Sequence, residues 1–453
     1  MQKIFGTDGI RCRVNQEPMT AETCLKIAKA AGYILSNKIS KKNRVIIAKD
    51  TRLSGYLFEP LITSGFVSMG MDVILLGPLP TPALPMLIKS MRADMGVMIT
   101  ASHNTYEYNG LKFFDSNGNK ISKDLENKIE KIISNKKLYK KILNSEHESG
   151  KAVRLEDAPG RYLEYLKSTL DKKVKIKKYK IVLDCGNGAT YNLAPTLFWE
   201  LGTDVVAIND RPNGKNINKN CGAVDITGLS KKILETKSDI GFAFDGDGDR
   251  LIVVDEKGNM VDGDKIIALF SQHYLNKKLL KKKTVVTTVM SNLGFENYLK
   301  NKLGINLVRV DVGDINVITE MQKNSYILGG EQSGHIILGN HLQTGDGILT
   351  AIKILEIMSL IKKKASNIFD IYAEYPQLKY NLPIKNKLNG NFNQKLKKIT
   401  KYNQNKNSKL RYLVRMSGTE PILRILIEGK DKQHVIEAGK KISDEIKQII
   451  NTK

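Results

Sequence analysis

Asp245, Asp247 and Asp249 alternate with glycine and run directly into Arg250, just beyond the apolar stretch 241–244. Three carboxylates this close repel one another and raise each other's pKa unless a hard cation neutralises them, so metal binding is the economical reading. An EF-hand loop is the rival, with Glu256 at its twelfth position, but its sixth position is Arg250 where glycine is required, and its flanks read as strands. A solvated acidic turn is the remaining alternative. With few protein oxygens at short range, Mg²⁺ suits the segment better than Ca²⁺, which takes more oxygen ligands.

Ser102 follows the apolar run 97–100 in Ala101-Ser102-His103-Asn104, which displays its hydroxyl on a short loop. No Gly-x-Ser-x-Gly elbow surrounds it, which disfavours hydrolase chemistry. A phosphorylated serine, carrying about −1.5 to −2 charges, would be both a metal ligand and a phosphoryl donor. A turn shaped by Ser and Asn fits this tetrapeptide equally well. Arg415-Met416-Ser417-Gly418-Thr419-Glu420-Pro421 joins two strand-like runs and offers a guanidinium, two hydroxyls and exposed N–H groups to an anion, with Arg424 as a second cation. An arginine-capped hairpin is its bland counterpart. Glu331, Ser333 and His335 form a group suited to sugar hydroxyls, although His335 alone fits a structural histidine.

The elements that must position these groups repeat. Residues 96–100, 241–244 and 326–330 are apolar runs that each lead into a polar loop and then into a second apolar run, at 111–114, 251–254 and 336–338. Apolar runs of four to six residues separated by helical patterns extend to about residue 365 and predict α/β units with parallel-rich sheets. Loops at strand C-termini are where open α/β sheets hold ligands, so three such loops predict three similar mixed α/β domains facing one cleft. Beyond residue 367 the pattern changes to antiparallel strands and a helix near 435–450, an α+β module, with 401–407 expected as an exposed loop. The expected domains are 1–152, 153–255, 256–367 and 368–453.

A chain of 453 residues with 41% hydrophobic and 26% charged residues is ordinary for a globular protein of several domains. No stretch approaches the ~18 consecutive apolar residues of a membrane helix, and the N-terminus lacks an apolar signal region. Cys12, Cys24, Cys185 and Cys221 are widely spaced, which fits reduced thiols in a cytoplasm. The net charge of +25 raises nucleic acid as a partner, but only 13 of the 72 basic residues are Arg and the Lys are scattered over helix surfaces. No zinc finger or stacking motif accompanies them, so the charge reads as solvated surface, without a nucleic-acid or membrane partner.

Taken in order, residues 5–11, 100–104, 245–250, 330–335 and 415–421 resemble the motifs of the α-D-phosphohexomutases, from the first ten residues to the last domain. Residues 6–11, Gln332 and Gly418 resemble the amino-sugar branch more than the neutral-sugar one. The resemblance implies a cytoplasmic isomerase that interconverts glucosamine 6-phosphate and glucosamine 1-phosphate through a glucosamine 1,6-bisphosphate, feeding UDP-N-acetylglucosamine and cell-wall precursor synthesis. A sugar bisphosphate also serves as activator, and a phosphoglucomutase or phosphomannomutase is the alternative. It implies a phosphoserine at Ser102, installed by an activating phosphorylation, and one Mg²⁺ held by Asp245, Asp247, Asp249 and an oxygen of phospho-Ser102. Glu331 and Ser333 would hold sugar hydroxyls. Arg415, Ser417, Gly418 and Thr419, supported by Arg424, would grip the non-reacting phosphate. Arg11 and Arg250 would flank the transferring phosphoryl group, Lys112 and His335 would move protons, and the chain would act as a monomer or homodimer on a small phosphosugar.

The sequence departs from the family pattern at Cys12, Thr105, Tyr108 and 315–317. Thr105 stands where Pro is frequent, which predicts a looser serine loop, since Pro restricts itself and the residue before it.

Overall fold

The computed structural model describes residues 3–6, 8–36, 43–176, 178–384, 392–416 and 422–451. Four sheets, in sequence order, organise the described residues. The first has six strands, in the order Ile10–Arg13, Tyr108–Asp115, Met95–Ile99, Arg44–Lys49, Asp72–Pro78 and Ala152–Arg154. The second runs Met260–Val261, Leu251–Asp255, Ile240–Phe244, Lys180–Asp184, Asp204–Ile208. The third runs Asn306–Val310, Thr284–Thr288, Leu328–Gly330, Ile336–Leu338. The first sheet thus continues past residue 152 and the second past residue 255.

The triple repeat in the sequence is a topological repeat. Met95–Ile99, Ile240–Phe244 and Leu328–Gly330 each pair in parallel with an inner strand, and each pairs antiparallel with the strand that follows its loop. Every residue of the first two of these strands is buried, because helices cover both faces; this is why they read as continuous apolar runs and show no alternation. The helix Gly347–Ile361 is buried along most of its length and joins the cores of the second and third sheets, with Ile348, Leu349, Ile352 and Leu355 in one cluster with Phe242, Phe244, Ile336 and Leu338. Asp346 caps it, accepting the Leu349 N–H at 2.9 Å.

The C-terminal sheet, Gln377–Pro383, Ile422–Gly429, Leu410–Met416, is wholly antiparallel, and the helix Lys432–Asn451 packs on it as expected of an α+β module. The segment 401–407 corrects the sequence reading, since it closes a helix, Phe392–Lys406. Its polar look hides a helical stripe: Phe392, Leu396 and Asn403 are buried at helical spacing. The Asn403 amide donates to Glu445 Oε2 at 2.9 Å, and Gln404 pairs with the backbone of Leu410 and Tyr412. A hydrogen-bonded amide, that of Asn403, thus occupies a position where an apolar residue is usual.

Candidate active site

Ser102 sits immediately beyond Met95–Ile99, is 2% exposed, and adopts φ +50°. A left-handed conformation costs a non-glycine residue about 1–2 kcal/mol, so surrounding contacts must enforce it. Its Oγ donates to Asp245 Oδ2 at 2.8 Å, joining the loop of the first sheet to that of the second. Glycine makes this approach feasible. A Cβ on Gly246 would lie 2.7 Å from the Ser102 carbonyl oxygen, and Gly248 adopts φ +70°.

Asp245, Asp247 and Asp249 are all buried, and each offers an oxygen within 4.8 Å of the others. This is the one such metal-ligating group among the described residues. Two oxygens on opposite sides of an octahedral Mg²⁺ lie about 4.2 Å apart, so the cluster is near the required span. Asp247 Oδ1 and Asp249 Oδ1 are buried without a hydrogen-bond partner, a costly arrangement for carboxylates with no cation to satisfy them. The residues therefore fit a hard divalent ion. Burial, followed by repulsion from Asp249 and Asp247, pushes the Asp245 carboxyl well up; Asp249 is held well down because Lys112 and His335 outweigh its burial.

The Lys112 ammonium lies 2.8 Å from Asp247 Oδ2, 3.1 Å from Asp249 Oδ2 and 3.3 Å from Asp8 Oδ2. These charges overcome the opposing effect of burial and raise its pKa well above that of a free lysine. His335 places Nδ1 3.6 Å from Asp249 Oδ1, while its Nε2 accepts the Gly345 N–H at 3.1 Å. Burial opposes protonation of this ring, the carboxylates favour it more strongly, and the Gly345 bond requires an unprotonated Nε2. In this conformation Nε2 is engaged by Gly345, and Nδ1 faces Asp249 Oδ1 from beyond hydrogen-bond distance. Arg11 reaches Asp8 at 3.0 Å and Asn104 Oδ1 at 3.2 Å, beside the serine. Arg250 donates its N–H to Asp245 Oδ1 at 3.1 Å, and its Nε lies 4.0 Å from Asp249 Oδ1.

In the third loop, Glu331 is buried and accepts the Gly313 N–H at 3.1 Å, whereas Ser333 is exposed. Arg415 and Arg424 are direct partners across the antiparallel pair Leu410–Met416 and Ile422–Gly429. Like charges directly opposite one another are unfavourable, which marks the pair as a place for an anion. Burial and Arg424 lower the Arg415 pKa, while Asp311 and Glu331 of the third domain act in the opposite sense. Ser417, Gly418 and Thr419 lie outside the described residues.

Four contributors escaped the sequence reading. Thr81 donates to Asp247 Oδ2 at 2.6 Å; Lys120 bridges Asp8 and Asp314; Arg52 and Asn218 converge on the serine loop. Arg52 Nη1 donates to the Thr105 carbonyl, so the loop is tied down at the position that lacks Pro. The available signal was position alone: Arg52 and Thr81 each follow a parallel strand at its C-terminal end, where open α/β sheets place ligand-handling groups.

A buried hydroxyl held against a carboxylate triad that could hold a cation, with the guanidinium groups of Arg11 and Arg250 nearby, is equipped to move phosphoryl groups, and its place among the loops of repeated α/β units defines the class as a multidomain phosphotransferase. The sequence comparisons narrow that class. Models of the phosphoglucomutase/phosphomannomutase α/β/α domains I, II and III match residues 2–140, 160–258 and 262–375, and the model of the C-terminal domain matches 381–444. The chain belongs to this family. It is 46% identical to a phosphoglucosamine mutase of Thermodesulfovibrio yellowstonii over 99% of both chains. In fold it is similar to a phosphoglucomutase/phosphomannomutase family protein of Burkholderia thailandensis, with TM-score 0.82, 22% identity and coverage of 100% and 98% of the two chains. It is also similar to an Aspergillus fumigatus N-acetylphosphoglucosamine mutase in complex with GlcNAc-6P and magnesium, with TM-score 0.67, 17% identity and coverage of 99% and 96%.

Proposed function

We propose that this chain interconverts glucosamine 6-phosphate and glucosamine 1-phosphate with Ser102 as the phosphoryl carrier. The observation that carries the reading is the 2.8 Å contact between Ser102 Oγ and Asp245 in a chain 46% identical to a phosphoglucosamine mutase over nearly its whole length. In the first half-reaction the sugar's free anomeric hydroxyl oxygen attacks the phosphorus of phospho-Ser102. The bond between phosphorus and Oγ breaks, and the product is glucosamine 1,6-bisphosphate. In the second, after the bisphosphate turns around, Ser102 Oγ attacks the 6-phosphate and glucosamine 1-phosphate leaves.

Asp245, Asp247 and Asp249 would hold the Mg²⁺ together with a phosphoserine oxygen. When bound, the ion supplies neutralisation of charge on the transferring group. Phosphoryl transfer asks the protein mainly for positioning and electrostatics. Arg11 and Arg250 flank the reacting phosphate in this reading, and Glu331 and Ser333 meet sugar hydroxyls. Arg415 and Arg424, with Ser417 to Thr419, grip the phosphate that is not reacting. Such a grip accepts either end of a bisphosphate, since both ends present the same anion. Lys112 and His335 serve the proton transfers. We assign four domains close to 1–152, 153–255, 256–367 and 368–453, with the first extended to take in Ala152–Arg154 and the second to take in Met260–Val261.

No helix among the described residues is long and apolar enough to cross a membrane. A soluble phosphosugar is the fitting partner, and the cytoplasm the fitting compartment.

A coupled assay with glucosamine 6-phosphate and a trace of sugar bisphosphate tests the reading. Turnover is expected from wild type, with a phosphate on Ser102 visible in the intact mass, and from neither Ser102→Ala nor chelator-treated enzyme. Turnover by Ser102→Ala, or a kcat/KM higher on glucose or mannose phosphates than on the amino sugar, would overturn it.

A further inference from the structure

The Ser102 and Asn104 carbonyl oxygens each receive two N–H donors, one from each of two domains. Arg52 Nη2 reaches them at 2.9 and 2.7 Å, and Asn218 Nδ2 reaches the same two at 2.8 and 2.9 Å. Arg52 belongs to the first domain and its side chain is fully buried. Asn218 lies in the loop after Asp204–Ile208 of the second sheet, where its own N–H donates to the Gly186 carbonyl at 2.9 Å.

The first-domain half of this arrangement is a closed circuit. Arg52 Nε donates to Asp50 Oδ2 at 2.9 Å, and Asp50 Oδ2 also accepts the Thr100 hydroxyl at 2.6 Å. The Thr100 Oγ1 in turn accepts the Ser102 N–H at 2.8 Å. The remaining Arg52 nitrogen donates to the carbonyls of Thr105 and Tyr108. Ser102 is therefore held at its N–H and at its carbonyl by one continuous network, which accounts for its left-handed backbone. Asn218 carries that network across the domain boundary. The boundary is further pinned by Leu53 N–H to the Gly214 carbonyl at 2.9 Å and by the Thr51 hydroxyl to the Asn187 carbonyl at 2.5 Å. The metal loop closes on the same point, since a Gly246 Cβ would lie 2.7 Å from both the Ser102 carbonyl oxygen and Asn218 Nδ2.

We propose that Asn218 and Arg52 are positioning residues for phosphoryl transfer: together they clamp the Ser102 and Asn104 carbonyls from two domains and so set where Ser102 Oγ stands relative to the 245–249 carboxylates. The proposal rests on Ser102 being the phosphoryl carrier. Neither side chain needs to touch the sugar. Arg52 is spent on carbonyls and Asp50, and Asn218 Nδ2 on two carbonyls. Loss of the clamp should therefore lower the rate of transfer and weaken metal binding while leaving ground-state binding of the sugar phosphate nearly unchanged.

The test compares full-length wild type with Asn218→Ala, Asn218→Asp and Arg52→Lys. Asn218→Asp keeps the shape but replaces the donor by an acceptor facing two carbonyls. Arg52→Lys keeps the charge beside Asp50 but cannot span four carbonyls. The readouts are kcat, KM for glucosamine 6-phosphate, the Mg²⁺ concentration giving half-maximal rate, and Ser102 phosphate by intact mass. Expected for Asn218→Ala is a fall in kcat of at least about tenfold, the equivalent of one or two hydrogen bonds lost, with KM within about twofold of wild type. The half-maximal Mg²⁺ concentration should rise several-fold, and Asn218→Asp should be worse than Asn218→Ala. Arg52→Lys should show the same split between kcat and KM, so the proposal remains testable if one variant folds poorly. Folded Asn218→Ala with wild-type kcat and Mg²⁺ requirement overturns the clamp, as does a loss confined to KM. Wild type that lacks both turnover and Ser102 phosphate overturns the functional reading on which the clamp rests.

Discussion

Lys120 Nζ lies 2.5 Å from Asp314 Oδ2, joining the first domain to the third. The same ammonium contacts Asp8, which also meets Arg11 and Lys112, so one lysine links the charged cluster around Lys112 to the start of the helix Asp314–Asn324. Both partners are mostly buried, and Lys120 is held above the usual lysine range because Asp314 and Asp8 outweigh its burial. Breaking one member of a buried pair typically costs about 3–5 kcal/mol because the other charge is stranded; the partial exposure here, 13% and 12%, reduces that. Lys120→Met should lower stability by roughly 1–3 kcal/mol and reduce kcat/KM, as read by urea unfolding and the coupled assay. Unchanged stability would show that Asp8 and Asp314 are satisfied by other partners.

The orphaned oxygens of Asp247 and Asp249 predict how the metal loop responds to mutation. Asp247→Asn keeps the shape but removes a charge from Lys112 and from the ion, so half-maximal activity should require at least about tenfold more Mg²⁺. Thr81→Val should have a smaller effect in the same direction, since it removes only the 2.6 Å hydrogen bond that aims Asp247. Magnesium titrations of activity measure both, and Ca²⁺ should restore little rate after chelation, because its larger, looser coordination suits a compact triad poorly.

The paired guanidinium groups of Arg415 and Arg424 predict a stability that depends on anions. Inorganic phosphate should raise the Tm of wild type, and Arg415→Gln should abolish most of that rise. Without phosphate the variant should be as stable as wild type or slightly more so, by a few tenths to about 1 kcal/mol, because a like-charge cross-strand pair has been relieved. Thermal unfolding with and without phosphate distinguishes this from loss of a packing contact, which would lower Tm in both conditions.

Asp264 gives a pH prediction. Burial, then the charge of Asp262, pushes its carboxyl up to about 7, although its Oδ2 accepts the Asn292 N–H at 2.7 Å. A raised folded-state pKa means the native state holds a proton that the unfolded state has lost, so stability from this group is complete below the unfolded value and is lost as pH rises through about 7. Asp264→Asn retains an acceptor and never ionises. Its stability relative to wild type should increase between pH 4 and pH 7 and level off above, by roughly 4 kcal/mol. Urea midpoints at several pH values test the sign; a flat difference would show that the carboxyl ionises normally.

Much of this molecule was legible in the residue order. Each buried strand of the repeat is a short apolar run ended by Gly, Asp or Ser, and a strand buried on both faces needs no partner's identity to be recognised. Asp245, Asp247 and Asp249 declare themselves because their mutual repulsion is a local property, independent of the rest of the chain. The helix over 392–406 was missed because Asn403 is polar by type and buried by partnership, Gln404 is hydrogen-bonded to the next strand, and Glu445, Leu410 and Tyr412 are not visible from within the segment.

What the residue order determined alone is the acidic triad and the strands that deliver it and Ser102, since the triad and the succession of apolar runs are written in neighbouring positions. Only the tertiary structure decided that Lys112 stands among three carboxylates, that Lys120 ties Asp8 to Asp314, and that Arg52 and Asn218, 166 positions apart, fasten on the same two carbonyls. The physical reason is that a charge or an amide acquires its role from what lies within about 3 Å of it, and chain folding, unlike periodicity, brings those neighbours from anywhere in the sequence.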